Sequence, residues 1–582
     1  MGIMKDYNTT ATKVSINDGI SGFLTLSALI IGLLISAFIA YIICFNTVIY
    51  KSLWMNTTSI ISIFGLINGI ILLILFSYFS KKIIPKFNYK LVIIVCVILI
   101  ALTGSLYNVF VHANIPNIND SYELMNIAAT LHKNGIISMN ADTYLPHGNR
   151  LQTYLMHMPY QSGMILYDWL IMSITGVSMN LLPFQLINSI IIMPVSALLF
   201  TLISGELAHI LKPNNDTNEQ NVMKTTMILL TIFTPFSLYA WKIYGNIISM
   251  PFTLFSILLI IRLLRAHDDN SNVSIKVKTI RIILLCFSVF MMAWLKPNTS
   301  IMLIALMITL IISIIGKPEL FKLIMLILLP LSFTAGYNTP IMIMQNYTDF
   351  SLNNNRQPPS SWIAMGTQYD ARNQDAPGTY VRDYLDNTWY QHDINLIKKK
   401  MDKKIYDNID FLIKNNSIFE FLYYKNVYAW SESSFDTYTA PFIHEKIWNH
   451  STNEYRLYDK RFNNESNKVI LNDVQEFFKN NTLTYYYIID PIQTMIILAA
   501  LTGIMLIMRK NKNTVKLTSR YNVNNRILII LPLIIITGGF LFHCFWETQP
   551  EYAFTYFLFF ILYASIGLNM IKTPVLRKHN RN

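Results

Sequence analysis

Two carboxylates open the first long polar stretch of the chain: Asp120 and Glu123 in Asp-Ser-Tyr-Glu, followed by LMNIAATLHKNG. The spacing predicts a helix that starts at Asp120 and ends near Gly135. Asp120 then suits an N-cap with Glu123 as its capping-box partner. It equally suits a general base, held at a membrane surface to take a proton from a hydroxyl. An N-capped carboxylate is also a positioned one, so the two readings are compatible. Further on, TYLPHGNRLQTYLMHMPYQSG (143–163) carries His147, Arg150 and His157 among aromatics and glycines. Such cations can bind a phosphate, and the same residues suit an ordinary interfacial loop. Lys296-Pro297-Asn298 separates two apolar runs. This lysine pairs with an anionic headgroup or snorkels beside a turn. GGFLFHCFWETQPEY (538–552) holds His543, Trp546 and Glu547. A His and Glu four apart can share a metal on one helix face, but a single pair is a weak signal. All four cysteines lie in apolar runs, which gives no disulfide framework and no metal-ligand spacing.

These groups must be positioned by apolar helices. Of 582 residues, 53% are hydrophobic and only 14% charged, with mean hydropathy +0.38; soluble domains carry about 25% charged residues. The apolar runs are continuous and many reach the roughly 18–20 residues that cross a bilayer core. The expected fold is therefore an all-α polytopic integral membrane protein with about twelve transmembrane helices. The windows are 21–45, 57–79, 91–111, 181–210, 224–241, 247–265, 279–295, 299–315, 320–336, 488–508, 527–545 and 552–570. The net charge of +13 belongs mostly to short loops on one side, such as Lys81, Lys82, Lys86 and Lys90, then Arg262 and Arg265, then Arg509 and Lys510. This is the bias expected of cytoplasmic loops, so no nucleic-acid partner is expected. Both termini fall on that side. The opposite short loops carry little beyond Lys51, Lys242 and Lys296. Counting 161–176 as a span would invert every later loop. It is therefore expected to lie in the outer interface, with Tyr167, Asp168 and Trp169 at the water boundary.

The chain then divides into an N-terminal tail with two spans (1–90), a membrane core (91–336) with its first outer loop at 112–180, a mainly helical extracytoplasmic domain (337–487), and C-terminal spans with a basic tail (488–582). Within the extracytoplasmic domain, 391–430 has helical spacing. Ionisable residues inside the spans are few, Glu206 chief among them. Their scarcity argues against an ion-coupled pump and directs attention to the outer face.

The ordered motifs resemble the GT-C superfamily of membrane glycosyltransferases, nearest the bacterial relatives of protein O-mannosyltransferases and aminoarabinose transferases (glycosyltransferase family 39-like). The resemblance rests on NINDSYELMNIAATLHKNG, MPYQSGMILYDWLIMSITG, KIYGN (242–246), LKPN (295–298), PPSSWIAMGTQYD (358–370), KNVYAW (425–430) and FHCFWETQPEYAFTYF (542–557), in that order. It covers most of residues 90–570. It implies an inverting transfer of a sugar from a polyprenyl-phosphate donor, held in the bilayer, to the hydroxyl of an envelope glycan, lipid or protein. Asp120 would be the base and Glu123 its understudy. Lys296, Arg150, His543 and His147 would meet the donor phosphate. Trp362, Tyr244, Asn246, Trp546 and Glu547 would line the acceptor side. The resemblance implies no cofactor, and the residues leave a divalent ion open. Two positions depart from the family pattern: Asn246 stands where relatives often have an acid, and Glu551 where they often have arginine. A flippase of lipid-linked sugars and a degenerate relative acting as an assembly subunit are the alternatives. The composition, rich in Asn, Ile and Lys, fits a low-GC bacterium.

Overall fold

The computed structural model describes residues 16–51, 54–57, 59–112, 120–139, 151–176, 180–211, 216–268, 274–352, 356–369, 377–379, 394–438, 446–449, 454–457, 476–477, 480–515 and 523–570. Apolar runs fold as helices because a backbone in hydrocarbon has no other local way to pair its polar groups. In chain order these are α1 (Ile16–Phe45), α2 (Ser59–Lys82), α3 (Tyr89–Tyr107), α4 (Asp120–Asn134), α5 (Leu151–His157), α6 (Ser162–Thr175), α7 (Leu182–Ile187), α8 (Met193–Leu211), α9 (Asp216–Ile232), α10 (Pro235–Leu238), α11 (Gly245–Ile248), α12 (Met250–Asp268), α13 (Ile275–Leu295), α14 (Ser300–Gly316) and α15 (Leu320–Gln345). There follow α16 (Ser360–Gly366), α17 (Ile394–Lys414), α18 (Ile418–Ser431), α19 (Thr482–Val515), α20 (Val523–Phe545) and α21 (Pro550–Met570). Two antiparallel hairpins complete the described residues: β1 (Val48–Lys51) with β2 (Trp54–Thr57), and β3 (Lys446–Asn449) with β4 (Glu454–Leu457).

Eleven helices among the described residues are long and apolar enough to cross a membrane, or up to twelve if one bent pair is a single span. The chain is a polytopic helical membrane protein. The bent pair is the expected window 224–241. There α9 stops at Ile232, and Pro235–Trp241 continues at an angle of 64°. Pro235 cannot donate to the turn before it, so the helix restarts on a new axis. The window 181–210 is continuous but contains a π-turn at Asn188–Ile192 between α7 and α8. The turn lets side chains reach across to the next element: Asn188 donates to the carbonyls of Ala240 and Lys242, and Gln185 to that of Trp241. The segment that carries KIYGN is thus held by amides of the neighbouring helix.

Helix α15 runs past the expected span end at 336, to Gln345. Its tip is tied to the end of α4: Ile137 N–H donates to the Tyr347 carbonyl, and Asp349 accepts from Ser138 and Met139. Helices α17 and α18 fall where helical spacing was expected in 391–430. Residues 432–438 turn back into the bundle, where Phe435 packs on Phe233, Phe554 and Phe557. The buried Glu432 carboxylate anchors that turn, accepting from Ser434, the Asp436 amide and the Tyr486 hydroxyl. These polar connections gather at one face of the bundle, the loop face.

Helix α6 departs from expectation. Asp168 is fully buried, not at the water boundary, and neither carboxyl oxygen has a hydrogen-bond partner among the described residues. Ile165, Asp168 and Met172 share one stripe, and the helix turns that stripe inward. Gly163 sets the approach: a β-carbon there would sit 1.7 Å from the Trp294 carbonyl oxygen. Burial pushes the Asp168 carboxyl well above the usual carboxylate range.

Candidate active site

Tyr244 is the hub of the loop face. It sits in the turn between α10 and α11, and its hydroxyl donates to Asp120 Oδ2 at 3.2 Å. Gln161 Nε2 donates to the same hydroxyl at 2.8 Å. The Lys296 ammonium lies 3.8 Å from the centre of the Tyr244 ring, and Lys242 lies 5.5 Å from it. Both distances are within cation–π range. Gly245 makes the arrangement possible, because a β-carbon there would lie 2.3 Å from the Leu295 carbonyl oxygen. The chain that follows Tyr244 can therefore press against the turn bearing Lys296. That turn is fixed by Thr299, whose hydroxyl donates to the Lys296 carbonyl at 2.6 Å.

Burial lowers both lysines, Lys242 to about 8 and Lys296 to about 7, but they differ in their partners. Lys242 forms a buried ion pair with Glu551. Lys296 is equally buried, yet among the described residues no carboxylate lies within ion-pair distance of it. Burial pulls its ammonium down to about 7, against the opposing fields of Asp120 and Glu547. A desolvated cation without a counter-ion favours an incoming anion.

Glu547 faces this group from the link between α20 and α21. Its backbone N–H donates to the Trp362 carbonyl at 3.1 Å, and its carboxylate accepts from Gln549 at 3.2 Å. Burial and the Asp120 charge push Glu547 up to about 7, while Lys296 and Lys425 pull the other way. Trp362 of α16 stacks on Trp546 with ring centres 5.8 Å apart and planes 3° from parallel. Tyr160 meets Trp362 edge-on. Lys425 pins this wall from behind. It is buried on α18 and donates to the carbonyls of Gly366, Cys544 and Trp546, joining α16, α18 and the end of α20.

A narrow cavity of about 50 Å³, open at one side, begins at this group and runs into the bundle. Lys296, Asn246, His543 and Tyr552 line it at helix ends; Phe200, Leu254, Met302 and Phe559 line it within the spans. Phe559 is seven residues beyond Tyr552 on α21, about 10 Å deeper. One end is therefore polar and the other apolar, a shape suited to an amphipathic ligand with an anionic head.

The structure thus brings together Asp120, Tyr244, Asn246, Lys296, Trp362, His543, Trp546 and Glu547. Glu123 is buried on α4 near Tyr154, whose hydroxyl also lies in the field of Asp120 and Tyr244. His147 and Arg150 lie outside the described residues. His543 does not join Glu547 in a side-chain ligand pair. Its Nδ1 is 3.0 Å from the Glu547 backbone carbonyl, and its ring stacks on Tyr552. Among the described residues no three His, Cys, Asp or Glu side chains are placed to hold a metal ion. Sequence reasoning missed Gln161, Tyr552, Lys425 and the Lys242–Glu551 pair. Only the pair left a signal: an unusual outward lysine and an unusual acid, each noted and never connected. No protein-family model, curated protein or solved structure matches this chain.

Proposed function

We propose that this protein is an extracytoplasmic glycosyltransferase that moves a sugar from a polyprenyl-phosphate donor to the hydroxyl of a cell-envelope acceptor. The observation that carries the reading is the buried Lys296, without an ion-pair partner among the described residues, at the mouth of an apolar cavity and one tyrosine away from Asp120. The cavity receives the donor, its first isoprene units against Phe200, Leu254 and Phe559. The phosphate meets Lys296, with His543 and Asn246 beside it. Asp120 takes the proton of the acceptor hydroxyl as that oxygen attacks the anomeric carbon. The bond from that carbon to the phosphate oxygen breaks, the configuration inverts, and polyprenyl phosphate leaves with the charge that Lys296 stabilises. The Trp362–Trp546 stack and Glu547 hold the acceptor. The basic short loops support an orientation with both termini in the cytoplasm and the loop face outside, the bent pair counting as the twelfth span.

A non-catalytic assembly subunit is the second reading. The Lys242–Glu551 pair favours it, because Glu551 consumes a cation that would otherwise face the phosphate. Binding of polyprenyl phosphate to the purified protein tests the donor site. Wild type binds, and Lys296→Ala weakens binding at least about tenfold, the lower end for a lost charge-assisted contact. Equal affinity in the two proteins contradicts the assignment of Lys296.

A further inference from the structure

Helix α17 carries a surface that the site does not use. Its inner face, Ile397, Met401 and Leu412, is buried, partly against Ala364 and Met365 of α16. Beside it runs a second apolar stripe, Tyr406, Ile409 and Ile413, at i, i+3 and i+7, and this one is exposed. Three residues separate the end of α17 from the start of α18, whose second residue, Phe419, is 86% exposed. The helix is also basic, with six lysines against three aspartates. Lys398, Lys399 and Lys403 are exposed and have no ion-pair partner among the described residues, whereas Lys414 pairs with Asp410.

The position of this surface follows from how α18 meets α1. Ser431 donates to the Ile42 carbonyl, and Tyr423 donates to Asn46 Oδ1. Following α18 backwards from Ser431 to Tyr423 therefore leads toward the end of the first span. Phe419 lies one further turn back, about 6 Å beyond Asn46 along the helix. Headgroups occupy roughly the first 5–8 Å outside the hydrocarbon core. Tyr41 and Phe45 at the end of α1 are exposed on the bundle surface, and a membrane-spanning α1 would carry that end to the headgroup layer.

We propose that α17 and the first turn of α18 form an interfacial anchor on anionic phospholipid. Phe419, Ile413, Ile409 and Tyr406 enter the headgroup boundary, while Lys398, Lys399 and Lys403 pair with lipid phosphates. Exposed aromatics beside unpaired lysines on an amphipathic helix are the features this mode of binding needs. The anchor fixes the height of α16, and with it Trp362, over the cavity.

The test places a photoreactive benzophenone side chain at position 419 of the full-length protein, reconstituted in vesicles of phosphatidylcholine and phosphatidylglycerol. Position 45 serves as the lipid-facing control. The expected result is phospholipid adducts at both positions, with phosphatidylglycerol above its mole share at 419. The K398E/K399E/K403E variant loses that excess and keeps the adducts at 45. Adducts at 45 with none at 419 overturn the proposal. So do adducts at 419 that follow mole share in the wild-type lysine background, since the lysines then recruit nothing. Adducts at 419 only to added poly(glycerol phosphate) also overturn it, and assign the surface to a soluble polyanion.

Discussion

In the proposed transfer Asp120 and Lys296 divide the work at the scale of single residues, and their surroundings suggest how. Asp120 receives the Tyr244 hydroxyl, which keeps one oxygen oriented and leaves the other for an acceptor. Lys296 has its ammonium drawn to about 7 by burial, so it is charged below that pH and neutral above it. Phosphate binding needs the charged form. Donor affinity is therefore full at low pH and falls as pH rises through about 7, with Lys296 alone contributing at most about tenfold per unit. Glu547, also pushed up to about 7, becomes an anion over the same interval and adds repulsion in the same direction. Titrating polyprenyl phosphate against the protein between about pH 6 and 9 measures this. Lys296→Arg, charged throughout, flattens the profile; an unchanged slope in that variant places the titration elsewhere. Glu551 carries a related lesson. Read alone it is a departure from a family pattern; beside Lys242 it is half of an ion pair.

The elements hold these residues through a few close approaches. Gly245→Ala drives a β-carbon into the Leu295 carbonyl. The expected cost is about 1–3 kcal/mol of stability, together with weaker donor binding because Lys296 moves. Thermal unfolding in detergent and the binding assay read the two effects separately. Lys425→Met leaves the carbonyls of Gly366, Cys544 and Trp546 without their shared donor. Each unsatisfied carbonyl costs about 1–3 kcal/mol, so limited proteolysis between α16 and α18 is expected to accelerate. Spans were readable because hydrophobic length is a property of contiguous residues. The α4 start at Asp120 was readable from local capping chemistry, and α6 from the charge balance of the later loops. Asp168 was not, because an acid in a short amphipathic helix gives no local sign of which stripe faces inward. Lys425 was not either, since its three acceptors come from two distant segments and none is a side chain. The break after Ile232 had its proline in plain view, but hydrophobic periodicity passed over it.

Across the whole molecule, apolar spans enclose a cavity whose polar mouth opens among the loop-face elements. Orientation is the first claim at this scale. A protease-sensitive tag at the C-terminus is expected to survive in sealed right-side-out vesicles and to be cut in inverted ones; the reverse pattern moves the site to the cytoplasmic face. The site was partly legible because Asp120, Lys296 and His543 each sit beside a recognisable boundary of an apolar run. Their convergence was not, since it depends on α4, α11, α13 and α20 meeting, which no single segment encodes. The measurement that bears most directly on the transferase reading compares envelope glycans in three strains: wild type, a deletion, and Asp120→Asn with membrane abundance confirmed. The account predicts that the deletion and the Asn variant lose the same sugar while the variant protein stays at normal level. A deletion that loses a sugar which the Asn variant fully retains would contradict it, and would leave Asp120 a helix cap in a protein that serves glycosylation without catalysing it.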